Sequence, residues 1–121
     1  MNKYTIYCTA EQTKKALALG AKLEEFPWRT SILRQLVDID EITYCIPTAE
    51  QMISWLEEQD GIREININRS ACYEGWYFSI SGPNKQYITI NGNSIASIGK
   101  YDSRKEATLI AIDVALEYLD K

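Results

Sequence analysis

From Arg104 to Leu119 the chain runs without a glycine or a proline, and Ser103 stands immediately before that run. Ser103 and Glu106 have the spacing of a capping box, in which the hydroxyl accepts from the Glu106 backbone N–H and the Glu106 side chain reaches back to the Ser103 N–H. Asp102 adds negative charge where the helix dipole is positive. The sequence therefore predicts a helix from Arg104 to Leu119. On a 3.6-residue wheel, Glu106, Asp113, Glu117 and Asp120 share one narrow arc, and most of the remaining circumference is apolar or small. A helix lying on a sheet needs only one apolar stripe. This one has more, so it is expected to touch a second element as well.

The stretch before it alternates. In Ile62 to Asn68, Ile65 and Ile67 face one way and Asn66 and Asn68 the other. Arg69 to Gly75 reads as a loop. Trp76, Phe78 and Ile80 then alternate with Tyr77 and Ser79, the pattern of a half-buried strand. Ser81-Gly82-Pro83-Asn84 is a turn, Gln86 to Ile90 a third strand, and Asn91-Gly92 a hairpin signal that predicts a fourth strand over Ser94 to Ile98. Upstream, Thr48 with Gln51 caps a helix whose inner face is Ala49, Met52, Ile53 and Leu56, with Trp55 at its edge, ending at Asp60-Gly61. The fold class expected is α+β: an antiparallel sheet of three or four strands, covered on one face by the helices at Thr48 and Ser103.

Residues 1–47 read as a β-α extension of this 48–121 core within a single domain. Tyr4 to Cys8 is a short strand. Thr9 and Gln12 form another capping box, for a helix that stops near Leu19 and Gly20. Ala21 to Phe26 is extended, Pro27 opens a helix over Trp28 to Val37, Asp38 to Glu41 is a turn, and Ile42 to Ile46 a strand ended by Pro47. Tyr7-Cys8-Thr9-Ala10-Glu11-Gln12 repeats as Tyr44-Cys45 and Thr48-Ala49-Glu50-Gln51 with two residues inserted. Recurrent capping chemistry is the favoured account of that echo, with an internal repeat as the alternative.

Composition excludes several chemistries. The 121 residues contain no histidine, which removes the commonest general base and metal ligand and every Ser–His or Cys–His pair. Cys8, Cys45 and Cys72 are odd in number and widely spaced, the pattern of reduced, buried thiols. Glu24-Glu25 and Glu57-Glu58 are sequence neighbours, which do not face each other on a helix. There is no phosphate-binding glycine loop and no metal-ligand spacing. No catalytic site, cofactor or metal is expected, so the protein reads as not an enzyme. No apolar stretch reaches the length of a membrane span, and Met1 to Tyr7 lacks a signal-peptide core, so a cytoplasmic location with no membrane partner is expected.

Two partner classes remain. Eight tyrosines and three tryptophans are many for this length, and Tyr73, Trp76, Tyr77, Tyr87 and Tyr101 crowd the sheet region. Such residues are enriched at interfaces. Tyr73, Tyr77 and Tyr101 are the candidates for contact with a protein partner. A homodimer through an apolar rim at Ile110 and Val114 is a second way to cover the closing helix, although coverage by the chain's own elements is favoured. The net charge of −4 argues against nucleic acid, which requires phosphate neutralisation. Yet from Thr48 the order helix–strand–strand–strand–helix resembles the double-stranded RNA-binding domain. Gly99-Lys100-Tyr101-Asp102-Ser103-Arg104-Lys105-Glu106-Ala107 is similar to that family's approach to its last helix. The resemblance implies duplex RNA contacts at Lys100, Arg104 and Lys105. The family's Gly-Pro-x-His piece is missing between the first two strands.

Tyr4-Thr5-Ile6-Tyr7-Cys8-Thr9, the run Ile46 to Glu57, and Ser103 to Leu109 together resemble a family of small proteins of Bacteroides-type gut bacteria and their phages and mobile elements. That resemblance implies a bacterial or phage-borne accessory protein and no particular chemistry.

Overall fold

The computed structural model describes residues 5–21, 36–39, 42–70, 74–84, 86–92 and 99–120. Its elements are α1 (Ala10–Ala18), β1 (Leu36–Ile39), β2 (Ile42–Cys45), α2 (Ala49–Glu57), β3 (Glu64–Arg69), β4 (Trp76–Ser81), β5 (Tyr87–Ile90) and α3 (Arg104–Leu119). The class is α+β, with β3, β4 and β5 forming an antiparallel sheet in sequence order.

The alternation read from the sequence sets the two faces of that sheet. Ile65 pairs with Ile80 and Ile67 with Phe78. Ile65, Phe78 and Ile80 are buried in one core with Met52, Leu56, Ile112 and Leu116. Successive residues point to opposite faces, so Asn66, Asn68, Tyr77 and Ser79 lie on the other. A register shift between Ile80 and Ser81 offsets β5, which pairs Thr89 with Ile80 but Tyr87 with Ser81.

Helix α3 packs against β3 and β4, and against both α1 and α2. Its breadth of apolar surface is explained by those neighbours. Ala107, Ala111, Ile112, Ala115 and Leu116 are buried, and Glu106, Asp113, Glu117 and Asp120 are exposed as the wheel places them. Ile112 and Leu116, essentially inaccessible, contribute about 3–6 kcal/mol before entropy is subtracted. Ile110 and Val114 are half-buried and packed against the core.

All three serine or threonine caps form. Thr9 accepts from Gln12 N and Thr48 from Gln51 N, each with the reciprocal glutamine bond. Ser103 accepts from Glu106 N at 3.1 Å, but the Glu106 carboxylate reaches one residue further back, to the Asp102 N–H at 3.3 Å. The Glu106 carboxylate thus ties down the loop ahead of the helix in place of the reciprocal capping bond.

The N-terminal extension departs from expectation in three places. Residues 5–8 form no strand. Tyr7 makes an isolated antiparallel bridge with Thr48, flanked by Cys8 N donating to Pro47 O and Ala49 N to Ile6 O. Thr48 caps α2, so its backbone leaves the pairing after one step. Leu36 and Val37 belong to β1, not to a helix, and Asp38 and Ile39 to the same strand, not to a turn. β1 pairs antiparallel with β2, Leu36 with Cys45 through Ile39 with Ile42. The β-branched residues Val37, Ile39, Ile42 and Thr43 favour that pairing. Arg69 is the last residue of β3, and Ser70 N donates to Gly75 O to close the connection. The extended segment expected to run on from Ala21 to Phe26 (past Ala21 itself), the helix over Trp28 to Gln35, and the strand over Ser94 to Ile98 lie outside the described residues.

Candidate interaction surface

The sheet face turned away from the helices carries Asn66, Asn68, Tyr77 and Ser79, with Glu64 and Ser81 at one end. Asn68 stands opposite Tyr77 and Asn66 opposite Ser79. Tyr77 is half-buried, and Ser79, on the central strand, is buried. Tyr87, the partner of Ser81, is 66% exposed, the most exposed of the large apolar or aromatic residues described. Arg63, Glu64, Asn66, Ser81 and Tyr87 line a hollow of about 340 Å³ at this end of the sheet. The face thus offers amides, hydroxyls and two aromatic rings, one seated among its neighbours and one free.

The candidate tyrosines do not come together. Tyr101 is buried: it pairs with Trp76 through N–H···O bonds in both directions, stacks on Phe78 with ring centroids 5.9 Å apart, and donates its hydroxyl to Asn91 O. It belongs to the core, because the Trp76 bridge continues the β4 ladder and turns the ring inward onto Phe78. Tyr73 lies outside the described residues. Tyr87, absent from the sequence candidates, is the aromatic that the fold leaves accessible. Its signal was its place beside a turn on β5, but only the register shift puts it on the outer face.

Lys100, Arg104 and Lys105 are all exposed. The Lys100 ammonium lies 5.5 Å from the centre of the Tyr101 ring, a cation–π contact. Arg104 forms one wall of a second groove, of about 200 Å³, shared with Ile6, Thr48, Glu50, Ile53 and Ile67. Asp102 and Glu106, both exposed, intersperse negative charge among the three cations. The α2 N–H groups nearest this groove already have partners in Ile6 O and the Thr48 hydroxyl.

Cys8 is a free, buried thiol. Burial, and then the carboxylate of Asp113, push its pKa from the ordinary 9.0 up to about 12. Its sulfur lies 3.8 Å from Thr48 O. A thiol held protonated is a poor nucleophile and a poor metal ligand. Among the described residues, no three Cys, Asp or Glu side chains are grouped as a metal site. No helix among them is long and apolar enough to cross a membrane.

No family model, no curated protein and no solved structure matches this chain.

Proposed function

We propose that this chain is a non-catalytic accessory protein that acts by binding another protein through the outer face of its β3–β5 sheet. One observation carries the reading: Tyr77 is seated opposite Asn68 on that face, while Tyr87, at its end, is left 66% exposed. Tyrosine offers a rigid apolar ring with a polar tip, the combination enriched where binding energy concentrates. The absence of histidine and the protonated Cys8 support the non-catalytic part. The family resemblance supports a bacterial or phage-borne setting, and the short apolar stretches of the sequence support a cytoplasmic one. The test is affinity capture from the native host with wild type, Tyr87→Ala and Tyr77→Ala. A discrete partner retained by wild type, and lost by folded Tyr87→Ala, supports the reading. A partner retained equally by both variants refutes the assignment to this face.

A second reading rests on the α2–β3–β4–β5–α3 order and the three exposed cations before and within the first turn of α3. It takes the chain to duplex RNA, as the resemblance to the double-stranded RNA-binding domain implies. The net charge of −4 weighs against it. A gel shift of duplex RNA at low salt separates the two. A robust, salt-sensitive shift abolished by Lys100→Glu, Arg104→Glu and Lys105→Glu together would replace the protein-binding reading.

A further inference from the structure

Asn91 closes β5 in an unusual way. Its φ is 54°, and it is 2% exposed. Its N–H donates to Phe78 O at 3.0 Å, which continues the β4–β5 register by one step beyond Ser79 and Ile90. The return bond comes from the side chain: Phe78 N donates to the Asn91 Oδ1, also at 3.0 Å. The carboxamide oxygen therefore takes the place in the ladder that a backbone carbonyl would hold. The Asn91 carbonyl itself accepts from the Tyr101 hydroxyl at 3.4 Å. Gly92 follows with φ 76°, exposed, and a Cβ there would sit 3.3 Å from Val114 Cγ2.

We propose that Asn91–Gly92 is a deamidation site that the fold holds shut, so that modification proceeds only through opening of the β5 end. The chemistry needs water alone. The Gly92 backbone nitrogen attacks the Asn91 Cγ, and a new N–Cγ bond closes a five-membered imide. The bond from Cγ to the amide nitrogen breaks, and ammonia leaves with the proton that the Gly92 nitrogen gives up. Water then adds to one of the two imide carbonyls, giving aspartate or isoaspartate. No electrons are transferred. Glycine leaves the attacking nitrogen unshielded, because it has no side chain.

Three features oppose the reaction in the folded chain. The Phe78 N–H fixes the carboxamide, which must swing to present its carbon to Gly92. Burial keeps out the water that must carry protons and hydrolyse the imide. The paired positive φ angles belong to a tight turn and hold the two residues in one geometry. Local opening removes all three together.

The two products have different consequences. Aspartate keeps the main chain intact, and its carboxylate oxygen still accepts the Phe78 N–H. Isoaspartate lengthens the main chain by one carbon and shortens the side chain, so neither Phe78 bond re-forms in register and the Tyr101 contact is lost. Conversion by that branch marks, one way, a chain that has opened at this end.

The experiment incubates the full-length protein at mildly alkaline pH, folded or unfolded in urea, and follows amide-to-acid conversion by peptide mapping. When opening and closing are fast, the folded rate tracks the open population, and it is expected to be at least about tenfold below the unfolded rate. Tyr101→Phe, which removes the hydroxyl held by the Asn91 carbonyl, is expected to raise the folded rate several-fold and leave the unfolded rate unchanged. Gly92→Ala, compared in urea where folding is irrelevant, is expected to slow conversion. A folded rate equal to the unfolded one, or an unfolded chain that does not convert at Asn91, overturns the proposal.

Discussion

The Gln12 side chain donates to Asp113 Oδ1 at 3.0 Å, and so ties the first helix to the last. The same amide nitrogen donates to Leu109 O at 2.7 Å, while Gln12 Oε1 accepts from the Thr9 N–H at 3.0 Å. A residue that caps its own helix is thereby also the buried link between α1 and α3.

Gln12→Ala is therefore expected to cost more than the loss of a cap. It removes three bonds at a fully buried position and leaves the Thr9 N–H unpartnered. A loss of roughly 2–3 kcal/mol in urea unfolding is expected. A loss of only about 0.5–1 kcal/mol, that of a cap alone, would mean that the links to Leu109 and Asp113 contribute nothing.

Cys8 gives a pH prediction. Its folded pKa of about 12 lies above the ordinary 9.0, so the folded chain holds its proton where the unfolded chain has lost it. The associated stability is fully present below pH 9 and is lost as pH rises from 9 towards 12, with a limiting slope of about 1.4 kcal/mol per pH unit. Cys8→Ala is expected to flatten this decline, read by thermal melts between pH 8 and pH 10.5 (about the middle of that window). In the wild type, a thiol reagent at neutral pH is expected to label Cys8 only in urea. Rapid labelling of the folded chain at Cys8 would contradict the burial argument.

The core elements were legible because local chemistry and tertiary demand agree in them. Thr48, Ser103 and the alternation of Ile65, Phe78 and Ile80 each state a local preference that packing then rewards. The inner face of α1 was not legible. It consists of Gln12, Thr13 and Ala16, two of them polar; Gln12 is accommodated because α3 supplies Leu109 O and Asp113 as partners, and Thr13 because its hydroxyl donates to Thr9 O. Strand β1 was missed because Leu36 and Val37 fit a helical period as well as a strand, and only pairing with Tyr44 and Cys45 decides between them. At the candidate surface, Tyr77 was placed on the outer face by its period. The burial of Tyr101 goes with long-range contacts, the bridge to Trp76, the stack on Phe78 and the hydroxyl bond to Asn91 O, which no local pattern announces.

Gly75 tests that bridge. Its φ is 124°, and a Cβ there would lie 2.4 Å from Gly99 O and 3.0 Å from Tyr101 O, all backbone atoms that cannot rotate away. Gly75→Ala is expected to separate the two segments and break the Trp76–Tyr101 pair. The expected loss is about 3 kcal/mol or more, which lowers the melting temperature by roughly 10 °C. A drop of only a degree or two would mean that the 99–101 segment is not held against β4.

Ile110 decides what covers the closing helix. It is half-buried, beside the acidic arc, and packs against the chain's own core, with α1 and α2 on the flanks of α3. In a monomer, Ile110→Glu loses that partial burial, for about 1–2 kcal/mol. It also places a carboxylate four residues after Glu106 and three before Asp113, each like-charge pair costing about 0.2–0.5 kcal/mol. The expected result is a folded, less stable protein whose mass by light scattering equals that of the wild type. If a second copy covers this rim instead, the variant stays folded and its mass falls to half that of the wild type. If neither mass nor melting temperature changes, Ile110 makes no contact of energetic weight, and neither cover by the chain's own elements nor a dimer at this rim accounts for it.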